Sequence, residues 1–125
     1  MAASQIYSGS VTHSGAGQTV LVTAVGVPAK TEIIAVTVSS SYPATAGTTG
    51  VKLQVGASID DGATFSDYAD VVTTAPTASQ GSAQSAEAFA SLDTYKAATH
   101  LRFKLINLDG TNDATVVLLF RASYL

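Results

Sequence analysis

The 125-residue chain is predicted to be all-β, an antiparallel sandwich of about eight strands forming a single domain over residues 1–125. Three observations predict it. Apolar and polar residues alternate with period two along much of the chain. Gly, Pro, Asn and Asp cluster between the alternating runs, and no long helical pattern appears. A jelly roll is the preferred arrangement and an immunoglobulin-like sandwich the second, because strands without helices must bury their faces sheet on sheet.

The first candidate strand covers residues 5–12. Residues 20–25, 33–38 and 116–120 are apolar at successive positions and rich in β-branched side chains, so they are expected to be strands covered on both faces. Val51-Lys-Leu-Gln-Val-Gly-Ala-Ser-Ile59 places Val51, Leu53, Val55, Ala57 and Ile59 on one side, with Lys52, Gln54 and Ser58 on the other. Leu101-Arg-Phe-Lys-Leu105 repeats the pattern, with Leu101, Phe103 and Leu105 inward. Residues 64–72 and 83–90 complete the set. Asp61-Gly62 predicts a tight hairpin turn, and residues 107–113 a second hairpin that sets Leu105 opposite Val116. Pro28, Pro43 and Pro76 all fall between strands, where a missing N–H breaks no ladder. Residues 91–97 are compatible with one helical turn capped by Ser91. Tyr95 in that stretch either forms a tyrosine corner or simply packs.

Charge narrows the function. Only 12% of residues are Asp, Glu, Lys or Arg, about half the usual share. Ser, Thr and Ala stand where Lys and Glu normally keep a free monomer soluble, and such a surface is cheap to desolvate. The expectation is a surface built to be covered by protein, in a homo-oligomer (dimer or trimer) or a larger assembly. A net charge of −3 without basic clusters argues against nucleic acid. The longest apolar run, residues 116–120, is far below the roughly 20 residues of a membrane helix, so no membrane partner is expected. The first seven residues have no basic or apolar segment of a signal peptide, so synthesis and use in the cytoplasm are expected. There is no cysteine, which removes disulfides and thiolate chemistry.

No catalytic residue, metal ligand or cofactor site is expected, and the chain is taken not to be an enzyme. His13 and His100 have no second histidine or carboxylate at ligand spacing. The acidic stretches at 60–62 and 109–113 lack the calcium-loop spacing and match turn chemistry instead. The five tyrosines are scattered and tryptophan is absent, which lowers a sugar-stacking role. One candidate site does emerge. If the last two strands pair, the face opposite their core side carries Arg102, Lys104 and Arg121 beside Val117 and Leu119, an apolar centre with a charged rim suited to a protein contact. The alternative is that residues 73–98 fold over it.

Two stretches carry a resemblance: Val51-Lys-Leu-Gln-Val-Gly-Ala-Ser-Ile-Asp-Asp-Gly-Ala-Thr-Phe65 and Thr99-His-Leu-Arg-Phe-Lys-Leu-Ile-Asn-Leu-Asp-Gly-Thr-Asn112. A strand, S-x-D-G, strand hairpin followed by a late L-R-F-x-L strand on a Ser/Thr/Ala-rich background resembles the small β-sandwich virion proteins of tailed bacteriophages. The resemblance covers about half the chain. It implies a capsid decoration (cement) protein, bound as symmetric copies to the major capsid protein or other virion proteins and located in the virion, which is assembled in the host cytoplasm. It transfers no site residue. The competing expectation is a receptor- or glycan-binding module of a tail fibre or cell-surface adhesin.

Overall fold

The computed structural model describes the backbone of residues 3–42, 50–74 and 84–124, and the side chains of residues 15–42, 50–74 and 86–124. Pro43, Pro76 and most of the Gly- and Thr-rich loop before Val51 lie outside the described residues, as does the side chain of His13. Among the described residues eight strands occur in chain order: β1 (Ala3–Ser14), β2 (Thr19–Gly26), β3 (Thr31–Tyr42), β4 (Val51–Ser58), β5 (Ala69–Thr74), β6 (Gln84–Ser91), β7 (His100–Asn107) and β8 (Ala114–Tyr124). They form two four-stranded sheets, β1-β8-β3-β6 and β2-β7-β4-β5. Every pairing is antiparallel.

That order is a jelly roll. β1 pairs with β8, β2 with β7, β3 with β6 and β4 with β5, as if one long hairpin had been wound around a common core. Four inner rows meet there: Ile34, Val36 and Val38; Val51, Leu53 and Val55; Leu101, Phe103 and Leu105; Val116, Leu118 and Phe120, all buried. Each of these side chains is worth about 1.5–3 kcal/mol of transfer free energy, so these rows dominate stability. Phe103 of one sheet meets Phe120 of the other with ring centroids 5.9 Å apart and planes tilted by 56°, which locks the two layers at the centre.

Four expectations are corrected. Residues 107–113 do not close a hairpin, because β7 and β8 lie in different sheets; Leu105 faces Val20 and Leu53, and Val116 faces Val11 and Ser40. The β4–β5 hairpin exists, but its connection is the long 59–68 loop rather than a tight two-residue turn, and β5 starts at Ala69 instead of residue 64. Asp61 (φ 59°) and Gly62 (φ 86°) do adopt the left-handed geometry that the Asp-Gly pair implied. Third, residues 20–25, 33–38 and 116–120 are covered on one face only. Among the described residues no further layer covers the outer faces of these three strands at Leu21, Ile33 and Leu119, which are 66%, 57% and 43% exposed. The helical turn is a 3₁₀ turn over Asp93–Tyr95, preceded by Leu92 with no side-chain cap; the Ser91 hydroxyl accepts a bond from Asp93 N at 3.4 Å. Tyr95 packs partly buried against the core.

Candidate protein-contact faces

The five residues expected to form one contact face divide between two. Period two in β7 points Arg102 and Lys104 out of the β2-β7-β4-β5 sheet. Period two in β8 points Val117, Leu119 and Arg121 out of the β1-β8-β3-β6 sheet, on the far side of the sandwich. The predicted inner residues of both strands are all buried; only the assumed pairing failed.

On the Arg102 side the chain covers itself with the 59–68 loop; of the 73–98 stretch expected there, residues 75–83 lie outside the described residues. Ser66 ties the loop to β4: its N–H donates to Ala57 O at 2.8 Å and its hydroxyl accepts from Ala57 N at 3.0 Å. The guanidinium of Arg102 donates to Ser66 O at 3.0 Å and lies over the rings of Phe65 and Tyr68, 4.8 and 4.3 Å from their centroids. Lys104 stacks on the same Tyr68 ring at 4.3 Å. Gly56, opposite Arg102 in the register, makes the close approach possible. A Cβ there would stand 2.9 Å from both Arg102 Nε and Ser66 O. Lys52 and Asp70 extend the polar character, with Nζ and Oδ2 3.5 Å apart. A hydrogen bond from Gln54, followed by the nearby Lys52 charge, holds the Asp70 carboxyl below its ordinary value.

The opposite face is different in kind. One cross-strand row runs Phe89, Thr37, Leu119; flanking rows run Glu87, Ser39, Val117 and Ser91, Ala35, Arg121. Phe89 is 68% exposed. Phe89 and Leu119, with Ala35, Thr37 and Arg121, edge an open groove of about 310 Å³. Among the described residues of this row set, Glu87 and Arg121 are the charged ones; the remainder are apolar or carry a hydroxyl.

The acidic turns serve the backbone. Asp60 accepts from Ser58 Oγ at 2.7 Å and from Thr64 N and Oγ1 at 2.9 and 2.6 Å. These bonds, led by the Thr64 hydroxyl, pull its carboxyl down to about 2. Asp109 accepts from Thr111 N and Asn112 N, both at 2.8 Å, in an Asx-type turn. Sequence reasoning missed the polar anchor beside it. Asn107 is buried, accepts from the Tyr42 hydroxyl at 2.9 Å and donates to Asn112 O at 2.8 Å. The signal was present, since 107 continues the inward row 101, 103, 105. Burial, and then the Asp109 charge, push the Tyr42 phenol up to about 12. No group of three or more His, Asp or Glu is placed to hold a metal ion among the described residues. No described helix is long and apolar enough to cross a membrane.

No protein-family model matches the chain, and no curated protein matches its sequence. Solved structures do match. A chain in the structure of infectious bursal disease virus, Gx strain, aligns over 97% of this chain with TM-score 0.60 and 9% identity. The VP2 subviral particle of the same virus aligns over 97% with TM-score 0.56 and 9% identity. This chain spans about a third (32%) of each of those neighbours' own length. At such identity the likeness concerns the fold: the chain is an all-β jelly-roll sandwich of the kind found in viral capsid proteins.

Proposed function

We propose that this chain is a non-enzymatic structural protein of a virus particle, specifically a decoration (cement) protein of a tailed-phage capsid. In this role it binds as a homo-oligomer over joints between major capsid subunits. One observation carries the proposal: the outer face of β1-β8-β3-β6 presents Phe89 and Leu119 to solvent on either side of Thr37, flanked by Ser39, Ser91, Ala35 and Val117, with Glu87 and Arg121 the charged residues of these rows. Burying such a face removes apolar area from water while immobilising few long side chains and desolvating few charges. A neighbouring subunit is the partner that gains from it.

The jelly-roll likeness to capsid proteins supports the role, and so does the resemblance carried by residues 51–65 and 99–112. The mechanics fit. Packaged DNA pushes capsid subunits apart, and a clamp across a joint must detach before the joint opens. Antiparallel ladders share that load over many backbone hydrogen bonds, and symmetric copies add avidity. The test is mass spectrometry of purified virions, with copy number measured against the major shell protein. A ratio comparable with the shell protein is expected, together with a lower disruption temperature for particles lacking the chain. Absence from virions, or a few copies per particle with unchanged robustness, contradicts the role.

A further inference from the structure

We infer that the cleft at one end of the sandwich is a binding site for a carboxylated saccharide. It lies between the 26–30 turn, the start of the 59–68 loop and the 96–100 approach to β7, with Tyr124 closing one side. Its volume is about 910 Å³, the scale of small-ligand sites. It shares no lining residue with the Phe89–Leu119 groove, so it goes beyond the assembly role and stands or falls apart from it.

Backbone conformation marks the place first. Among the described residues, the non-glycine positions at positive φ are Lys30 (60°) and Asp61 (59°), and both line this cleft. Asp enters the left-handed region readily, but for Lys it is costly, and glycine removes the cost. Gly17, Gly50 and Gly62 do so elsewhere in this chain. At residue 30 the chain carries an ammonium group instead. Strain of this kind gathers where a side chain is needed in a particular place.

Chemistry is the second observation. Lys30 and Lys96 both line the cleft, and neither forms an ion pair with another described residue. His100 lines the cleft as well, its imidazole against Gly26 and Gly62, where a Cβ would stand 4.0 and 3.7 Å from ring atoms, so no side chain from either position covers it. Pro28 and Tyr124 add flat apolar surface of the sort on which a sugar ring rests. Asp61 adds an acceptor for hydroxyls. Two cations, one acceptor, an imidazole and two rings suit one carboxylate on a polyhydroxylated ring. A run of acidic residues suits them less, because Asp61 sits among the cations and repels it.

The test is calorimetric titration of the full chain with four probes: tetragalacturonate, 3′-sialyllactose, and their uncharged counterparts tetragalactose and lactose. One carboxylated probe should bind saturably, about tenfold or more tighter than its counterpart, and weaken as salt is raised. The two charged probes separate uronate from sialate recognition. Lys30→Gly, which relaxes the backbone and so preserves folding, and Lys96→Ala should each weaken binding severalfold while leaving particle association unchanged. The inference is overturned if neither charged sugar beats its neutral counterpart, if both variants bind like the parent chain, or if a hexaglutamate peptide binds more tightly than either sugar.

Discussion

On one side of the sandwich Arg102 lies over two aromatic rings of its own chain and is tied to Ser66; on the other, Phe89 and Leu119 face solvent across Thr37. Both faces are built from strands with the same period and the same core. They differ because the 59–68 loop returns over β4, whereas Phe89 and Leu119 remain open to solvent in the β6-β3-β8 rows. The contrast separates two uses of an outer face. Large side chains packed and covered within the chain add to its stability, and large side chains left open become available to a partner.

The largest effect should be blind to the difference. Phe120→Ala empties the centre shared by both sheets and should cost about 3–5 kcal/mol in denaturant unfolding. Next comes the open face. Phe89→Asp with Leu119→Asp should weaken association with particles by about a hundredfold or more, since each buries an unpaired charge at the contact. The melting temperature should stay within a few degrees. Unchanged association would remove the distinction between the faces.

Gly56→Ala acts on the covered side. Its Cβ would meet Arg102 Nε and Ser66 O at 2.9 Å, so the loop must shift, with an expected loss of about 1–3 kcal/mol and no change in particle binding. Tyr42→Phe removes the hydroxyl that donates to Asn107 and should cost about 1 kcal/mol near neutral pH. The phenol is raised from 10.0 to about 12 in the fold. The folded state therefore holds its proton after the unfolded chain has released it, and the associated stability, intact below pH 10, is lost as pH rises toward 12. Tyr42→Phe should flatten that alkaline slope. Smallest of all, a double-mutant cycle between Arg102 and Tyr68 should yield a coupling of about 0.5–1 kcal/mol.

Much of this fold was legible in the residues, because strand period is a local property. Val51, Leu53 and Val55, or Leu101, Phe103 and Leu105, announce their inner faces without knowledge of the partner strand. Pairing is not local. Residues 107–113 have the composition of a hairpin turn, yet the same Asp and Gly chemistry serves a crossover between sheets, and that choice split the expected contact face in two. The expectation that residues 20–25 and 116–120 were covered on both faces failed for a related reason. Continuous apolar runs report a face that requires cover without saying whether the cover comes from this chain. The cleft around Lys30 was hidden for a third reason: its parts come from four places in the chain separated by tens of residues, and the φ of Lys30 leaves no mark on its identity.

The central claim is that the Phe89–Leu119 face is covered by another subunit in an assembled particle. Hydroxyl-radical footprinting, read residue by residue on the free chain and on purified particles, tests it most directly. Strong protection of Phe89 and Leu119 on assembly, with Phe65 and Tyr68 little changed, is the predicted result. Equal labelling of Phe89 and Leu119 in the two states would contradict the account.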